Sequence, residues 1–279
     1  MTPPPRSSTP RVLTAERPGG PGASEDRIFL TPNAAVVLDG ATSVELGPGS
    51  GGWYADSLGR LLEELIAAEP HQDLRKLLAH AIEGVATAYD LEAGKAPSST
   101  VAVLRWDENE LEALVLGDSA VVVFDRAGGV EVLQDSRILE IRNEPREAYL
   151  TRLRSGEGYR DDSRELMRSF QSITRSHRNR EGGYWIAEAT PDAGFHARVR
   201  RWPRSTTSAV LIATDGVVSG VEEYGVPTDW PAALDVIMTQ GPDALTDMIH
   251  EAEESDPDAS RWPRFKPHDD KALALLLFD

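Results

Sequence analysis

Between positions 99 and 125 three apolar runs follow one another: STVAVLRW (99–106), LEALVLGD (111–118) and SAVVVFD (119–125). The links are a few residues at most. A parallel pair needs a crossover of about a dozen residues or more, so runs this close can pair only antiparallel. Asp107-Glu108-Asn109 and Ala127-Gly128-Gly129 supply the turns, and the stretch is expected to be a meander. Two more runs, 27–31 and 34–38, flank Pro32-Asn33 and read as a second antiparallel pair. Further strand-like runs are GYWIAEA (183–189), FHARVRRW (195–202), SAVLIATD (208–215) and KALALLLFD (271–279).

Elsewhere the apolar period lengthens to three or four. SLGRLLEELIAAE (57–69) and DLRKLLAHAIEGVATAYDLEA (73–93) are expected amphipathic helices, with Pro70 between them. A further helical stretch near 230–254 is interrupted at Gly241-Pro242, and LGPGSGGWYAD (46–56) is expected to be a loop. The order of strands and helices implies antiparallel sheets with helices outside them, an α+β layered fold. One domain is expected over 24–279, after a flexible Pro/Ser/Gly-rich segment at 1–23. The charged, helix-like stretch 136–181 reads as an insertion or flap. Within it RSFQSITRSHRNR (168–180) is expected to be salt-bridged, solvated surface.

The chain has 279 residues, 40% of them hydrophobic, enough for a substantial core. Against 29 Lys and Arg stand 46 Asp and Glu, a formal charge of −17. That charge disfavours nucleic acid and anionic membranes as partners but suits divalent cations. Without cysteine there is no disulfide, no thiolate ligand and no cysteine nucleophile. No run approaches the roughly 20 apolar residues of a membrane span. A cytoplasmic monomer is the expectation.

Several carboxylates stand at strand boundaries: Glu25 and Asp26 before the first pair, Asp39 in VVLDGATS, Asp118 in VLGDSAVVVF, Asp215 in IATDGVVSG and Asp269 in KPHDDKALALLL. Taken singly, Asp-Gly is more often a hairpin turn than a metal site. Gathered at one edge of packed sheets, the same carboxylates would suit Mg²⁺ or Mn²⁺, which take oxygen ligands.

In this order the set resembles the metal-dependent protein phosphatases of type 2C, over roughly 24–279. The motifs that carry the resemblance are SEDRIF, VVLDG, PSSTVAVLRW, VLGDSAVVVF, IATDGVVSG and HDDKALALLL. The resemblance implies a four-layer α-β-β-α sandwich with two Mg²⁺ or Mn²⁺ ions at one end. Asp39 would bridge them, the Gly40 carbonyl and the carboxylates of Asp215 and Asp269 would complete their ligands, and Asp26 beside Glu25 would act through water. Asp118 falls on the family's third-metal position, and 136–181 on its flap. The implied reaction is attack of metal-bound hydroxide on phosphoserine or phosphothreonine of a phosphorylated protein. The same site could serve small phosphate esters, or a regulatory module that binds metal with little turnover. Three departures accompany the match. GGPGAS stands where many members carry a phosphate-binding Arg, Ala41-Thr42 replaces the His after Asp-Gly, and Ser219 replaces an Asp, which implies a weak third metal site. His268 is a candidate substitute for the missing His.

Overall fold

The computed structural model describes residues 9–41, 49–141, 144–159 and 163–278. Its strands are β1 (Arg11–Arg17), β2 (Arg27–Leu30), β3 (Ala34–Leu38), β4 (Gly40–Ala41), β5 (Ser98–Ser99) and β6 (Val101–Trp106). They continue with β7 (Glu110–Leu116), β8 (Ala120–Asp125), β9 (Val130–Gln134), β10 (Arg198–Pro203), β11 (Thr207–Ala213) and β12 (Lys271–Leu277). The helices are α1 (Gly51–Ala68), α2 (Leu74–Ala88), α3 (Glu144–Arg154), α4 (Ser163–Ser176), α5 (Asp215–Glu222), α6 (Trp230–Gln240) and α7 (Pro242–Glu254).

Two five-stranded sheets, β1-β12-β11-β8-β9 and β10-β7-β6-β3-β2, are antiparallel at every pairing. Strand periodicity sorts the core into three seams. On β3, Ala35 and Val37 point between the sheets, while Ala34, Val36 and Leu38 meet the Leu and Ile stripes of α1 and α2. On β11, Val210 and Ile212 join the middle seam, while Ala209, Leu211 and Ala213 face α5, α6 and α7. Both faces of the central strands are covered, so β3, for example, is apolar at every position rather than at alternate ones. The expected α-β-β-α sandwich is the observed fold.

Four local expectations are corrected. Residues 11–17 are not a flexible lead-in, because β1 pairs in register with β12 from Arg11–Leu277 to Arg17–Lys271. Val12 faces the middle seam, Leu13 and Ala15 face the helices, and the Pro- and Gly-rich flanks hide this alternation in composition. Residues 1–8 of that segment lie outside the described residues. The meander over 99–125 is broken: β6 and β7 pair, but β8 belongs to the other sheet, so Gly117–Ser119 is a crossing between sheets and not a hairpin. Gly117 makes that crossing at φ +89°, a conformation glycine adopts without steric cost. Residues 183–189 form only isolated bridges, such as Ser99 with Ala187. Helix α1 starts at Gly51, inside the expected loop, with Ser50 accepting a hydrogen bond from the Trp53 N–H at its N-terminus.

Candidate metal centre

Antiparallel strands return the chain repeatedly to the same ends of a sandwich, and four of the singled-out carboxylates meet at one of them. Asp39 follows β3, Asp118 sits in the crossing from β7 to β8, Asp215 opens α5 just after β11, and Asp269 lies two residues before β12. All four line a cleft of about 400 Å³ together with Glu25, Gly40 and Lys266. A neighbouring cavity of about 310 Å³ shares Asp118, Asp215 and Asp269. Asp26 stands behind the wall, 1% exposed.

Neither Asp-Gly is a hairpin turn. Gly40 is in a strand and Gly216 is in the first turn of a helix, and neither has a positive φ. Each glycine is needed for close approach instead. A Cβ on Gly40 would overlap the Gly51 backbone and the Glu25 carbonyl, and one on Gly216 would overlap the Asp270 carbonyl oxygen. Gly216→Ala is therefore expected to cost about 1–3 kcal/mol, the range for overpacking. A urea midpoint unchanged from wild type would show that the 268–270 loop yields freely and that the contact is not tight.

Hydroxyl groups brace the carboxylates from behind. Thr214 Oγ1 donates to Asp26 Oδ2 at 2.8 Å and accepts the Ala272 N–H, tying α5 to both sheets' ends. The Asp39 N–H donates to Thr100 Oγ1, which pairs with Ser119 Oγ at 2.6 Å beside Asp118. Asp270 has a different task from Asp269. Its oxygens accept the Gly19 and Glu25 N–H groups, each at 2.7 Å, and so anchor the segment that delivers Asp26.

Burial and mutual repulsion raise the carboxyls of Asp26, Asp39, Asp118 and Asp215 above the usual range. Burial dominates for Asp39, with Asp26, Asp269 and Asp118 adding to it, and for Asp215, with Asp39, Asp269 and Asp118 adding. Asp26 is likewise pushed well up by burial and then by Asp215, against the opposing Thr214 hydrogen bond. Asp118 is raised by burial and by Asp269.

Lys266, Arg175 and Arg178 bring basic groups to the cleft, and none of them was singled out in the sequence. Lys266 Nζ lies 2.7 Å from Asp269 Oδ1. Enclosure pulls its ammonium down, but Asp269, Asp39 and Asp215 outweigh that and hold it above the ordinary lysine range. Arg178 comes from the stretch expected to be solvated surface, yet it lines the cleft. Its Nη1 donates to Glu188, 1% exposed, at 3.1 Å, its Nε donates to the Tyr184 hydroxyl, and the Gly94 N–H holds Glu188 in turn. The signal that could have found Arg178 is Glu188, a lone acid in the apolar run GYWIAEA.

Described residues of the 136–181 stretch line the cleft. Phe265, next to Lys266, stacks between Tyr149 of α3 and Phe170 of α4 at centroid distances of 5.7 and 4.7 Å. Ile138, Phe170 and Thr174 line both cavities. His268 does not line the cleft. Its Nδ1 lies 3.1 Å from Glu253 on the far side of the loop. Thr42 lies outside the described residues.

Comparison with known proteins agrees with this architecture. The family model for protein phosphatase 2C matches residues 30–249. The chain belongs to the protein phosphatase 2C family. Its members are metal-dependent protein phosphatases. Among solved structures, this phosphatase 2C chain is similar to the serine/threonine phosphatase PstP/Ppp of Mycobacterium tuberculosis, at 14% identity and TM-score 0.57, over 97% of this chain and 99% of that one. A PstP catalytic domain solved in complex with two manganese ions aligns at 14% identity and TM-score 0.55, over 96% and 97%. Stp1 of Staphylococcus aureus aligns at 12% identity and TM-score 0.57, over 98% and 96%. No curated protein matches the sequence significantly.

Proposed function

We propose that this phosphatase 2C chain hydrolyses phosphoserine and phosphothreonine monoesters on proteins, using two Mg²⁺ or Mn²⁺ ions held by Asp39, Asp215, Asp269 and the Gly40 carbonyl. Asp26 would act through water, and Asp118 would hold a weaker third ion. One observation carries the reading: carboxylates more than 200 residues apart in the chain share one cleft wall, where a divalent cation would relieve their repulsion. Asp26 Oδ1 is also buried without a hydrogen-bond partner, which suits a buried solvent or cation contact. When bound, such ions neutralise phosphoryl oxygens and supply hydroxide near neutral pH.

The protein's own residues then have distinct tasks. Lys266 and Arg178, with Arg175 beside them, bring positive charge to a cleft that also holds the carboxylates, and would orient the ester dianion where the family's Arg is missing. Glu188 and Tyr184 fix the Arg178 guanidinium, so it arrives pre-positioned. Phe170 and Ile138 give the cleft an apolar roof for the residues flanking the phosphoamino acid. With His268 turned to Glu253, the leaving alkoxide takes its proton from water in the cleft.

Mn²⁺-dependent release of phosphate from a phosphothreonine peptide, abolished by EDTA, tests the reading. Turnover insensitive to EDTA would overturn it, and turnover restricted to small esters would move the substrate class. Lys266 competes with metal for Asp269, so Lys266→Met is expected to tighten Mn²⁺ binding while raising KM for the phosphopeptide. Unchanged Mn²⁺ affinity in calorimetry would remove Lys266 from this role.

We further propose one domain extending from β1 to β12, working as a cytoplasmic monomer on phosphoprotein, with neither nucleic acid nor membrane as partner. The charge of −17 supports the exclusion of polyanions. Among the described residues no helix is long and apolar enough to cross a membrane.

A further inference from the structure

Behind the carboxylate cleft, on the opposite side of the 268–270 loop, lies a second cluster of ligating side chains of different chemistry. His250 and Glu253 stand one turn apart on α7, and His268 approaches them from the loop before β12. One ligand atom from each falls within 4.8 Å of the others. His268 Nδ1 is 3.1 Å and His250 Nδ1 3.9 Å from Glu253 Oε2, and the two imidazoles stack at 4.1 Å.

The cluster is incomplete as a purely organic network. Glu253 is 1% exposed, and its Oε1 has no hydrogen-bond partner. His250 Nδ1 is also buried and unpartnered. Buried polar atoms are almost always satisfied, so two orphans in one cluster point to a missing ligand. Lys271 serves the other carboxylate oxygen, its Nζ 2.8 Å from Oε2 and 2.9 Å from the Asp269 carbonyl. It holds the carboxylate without covering Oε1, as an outer partner of a ligating carboxylate does.

We infer that His250, Glu253 and His268 form a separate site for one Zn²⁺-class cation, independent of the carboxylate centre. Two imidazoles and one carboxylate are a zinc-type donor set, whereas Mg²⁺ prefers oxygen alone. Bonds of about 2.1 Å in tetrahedral geometry put ligand atoms about 3.4 Å apart, so side chains whose ligand atoms lie within 4.8 Å of one another need only a small adjustment to close on one ion. His250 Nδ1 is buried and lies toward Glu253. Its Nε2 faces Glu254 Oε1 at 3.6 Å, the carboxylate–imidazole pairing that orients metal-bound histidines. An ion here would clamp α7 to the loop that carries Asp269, and it makes no contact with the cleft.

The test uses the full chain stripped of metal, in an Asp39→Asn/Asp215→Asn background that disables the carboxylate centre. One equivalent of Zn²⁺ is expected to bind in calorimetry, and Co²⁺ to give the intense visible absorption of a tetrahedral site. Zn²⁺ at a hundredfold excess over Kd is expected to raise Tm by about 5–10 °C. His268→Gln, at a half-buried position, is expected to leave the protein folded and weaken Zn²⁺ at least tenfold, by about 1.4 kcal/mol. Failure of the background variant to bind Zn²⁺, or identical binding after His268→Gln, would overturn the site.

Discussion

Asp39→Asn or Asp215→Asn is expected to lower Mn²⁺-dependent phosphopeptide turnover by on the order of 10³-fold, as loss of a preorganised charge-stabilising group does. The same substitutions are expected to raise the Tm of the metal-free protein. Burial and neighbouring carboxylates hold the folded pKa of both groups above the unfolded value of about 3.9. Below that unfolded value both states bind the proton and the term vanishes. As pH rises above it, the unfolded chain releases protons that the folded chain still holds, so metal-free stability falls until the raised pKa is passed. The wild-type Tm without metal should therefore decline as pH rises above about 4 more steeply than that of either Asn variant. Mn²⁺ should cancel the difference. Each 1 kcal/mol recovered corresponds to about 2–4 °C in a domain of this size. An Asn variant that retains activity would remove that carboxylate from the centre. A metal-free Asn variant several degrees less stable would show that protein groups, not a cation, satisfy the carboxylate.

Lys271→Met is expected to have the largest effect on folding itself. The Lys271 side chain is fully buried, and its ammonium joins Glu253 on α7 to the Asp269 carbonyl. Methionine fills the space but removes the ammonium held against buried Glu253, leaving it the His268 contact, at a cost of about 3–5 kcal/mol. That corresponds to a fall in Tm of roughly 10 °C. The exposed pair Lys95–Glu92 is the internal control, since partners in water are worth about 1 kcal/mol or less. A Lys271→Met midpoint within 1 kcal/mol of wild type would mean that Glu253 takes up a proton or a metal without difficulty.

The fold was legible wherever both faces of a strand are covered. Runs such as AAVVL and ALVL leave few alternatives, and the helical period of 57–69 and 73–93 is unbroken. Pairing partners were less legible. LGDSA has the composition of a hairpin, and nothing local reveals that β8 joins β11 in the other sheet, because that choice is made by Val121 and Val123 packing across the middle seam. The same limit hid β1, whose partner lies more than 250 residues away. Of the site, the acidic candidates were readable only through the ordered resemblance to the phosphatase 2C motifs, since each Asp-Gly by itself reads as a turn. Arg178 and Lys266 were not, since a basic residue in a charged segment gives no sign of which face it occupies. Lys271 opens an otherwise apolar strand, and only the tertiary contact with Glu253 explains it.

The crossing at Gly117–Ser119 has a wider consequence. Asp39 hangs from one sheet, Asp215 and Asp269 from the other, and Asp118 from the span between them. No sheet alone owns the ligand set, so the ions would bind across the seam like a rivet through two plates. Cation affinity then becomes a gauge of the spacing between layers. Side chains that set this gap, Val37 and Ile212 among them, govern the centre without touching it. Selection acting on metal affinity would reach deep into the apolar interior, and drift in that interior would be felt first as a weakened grip on the cation.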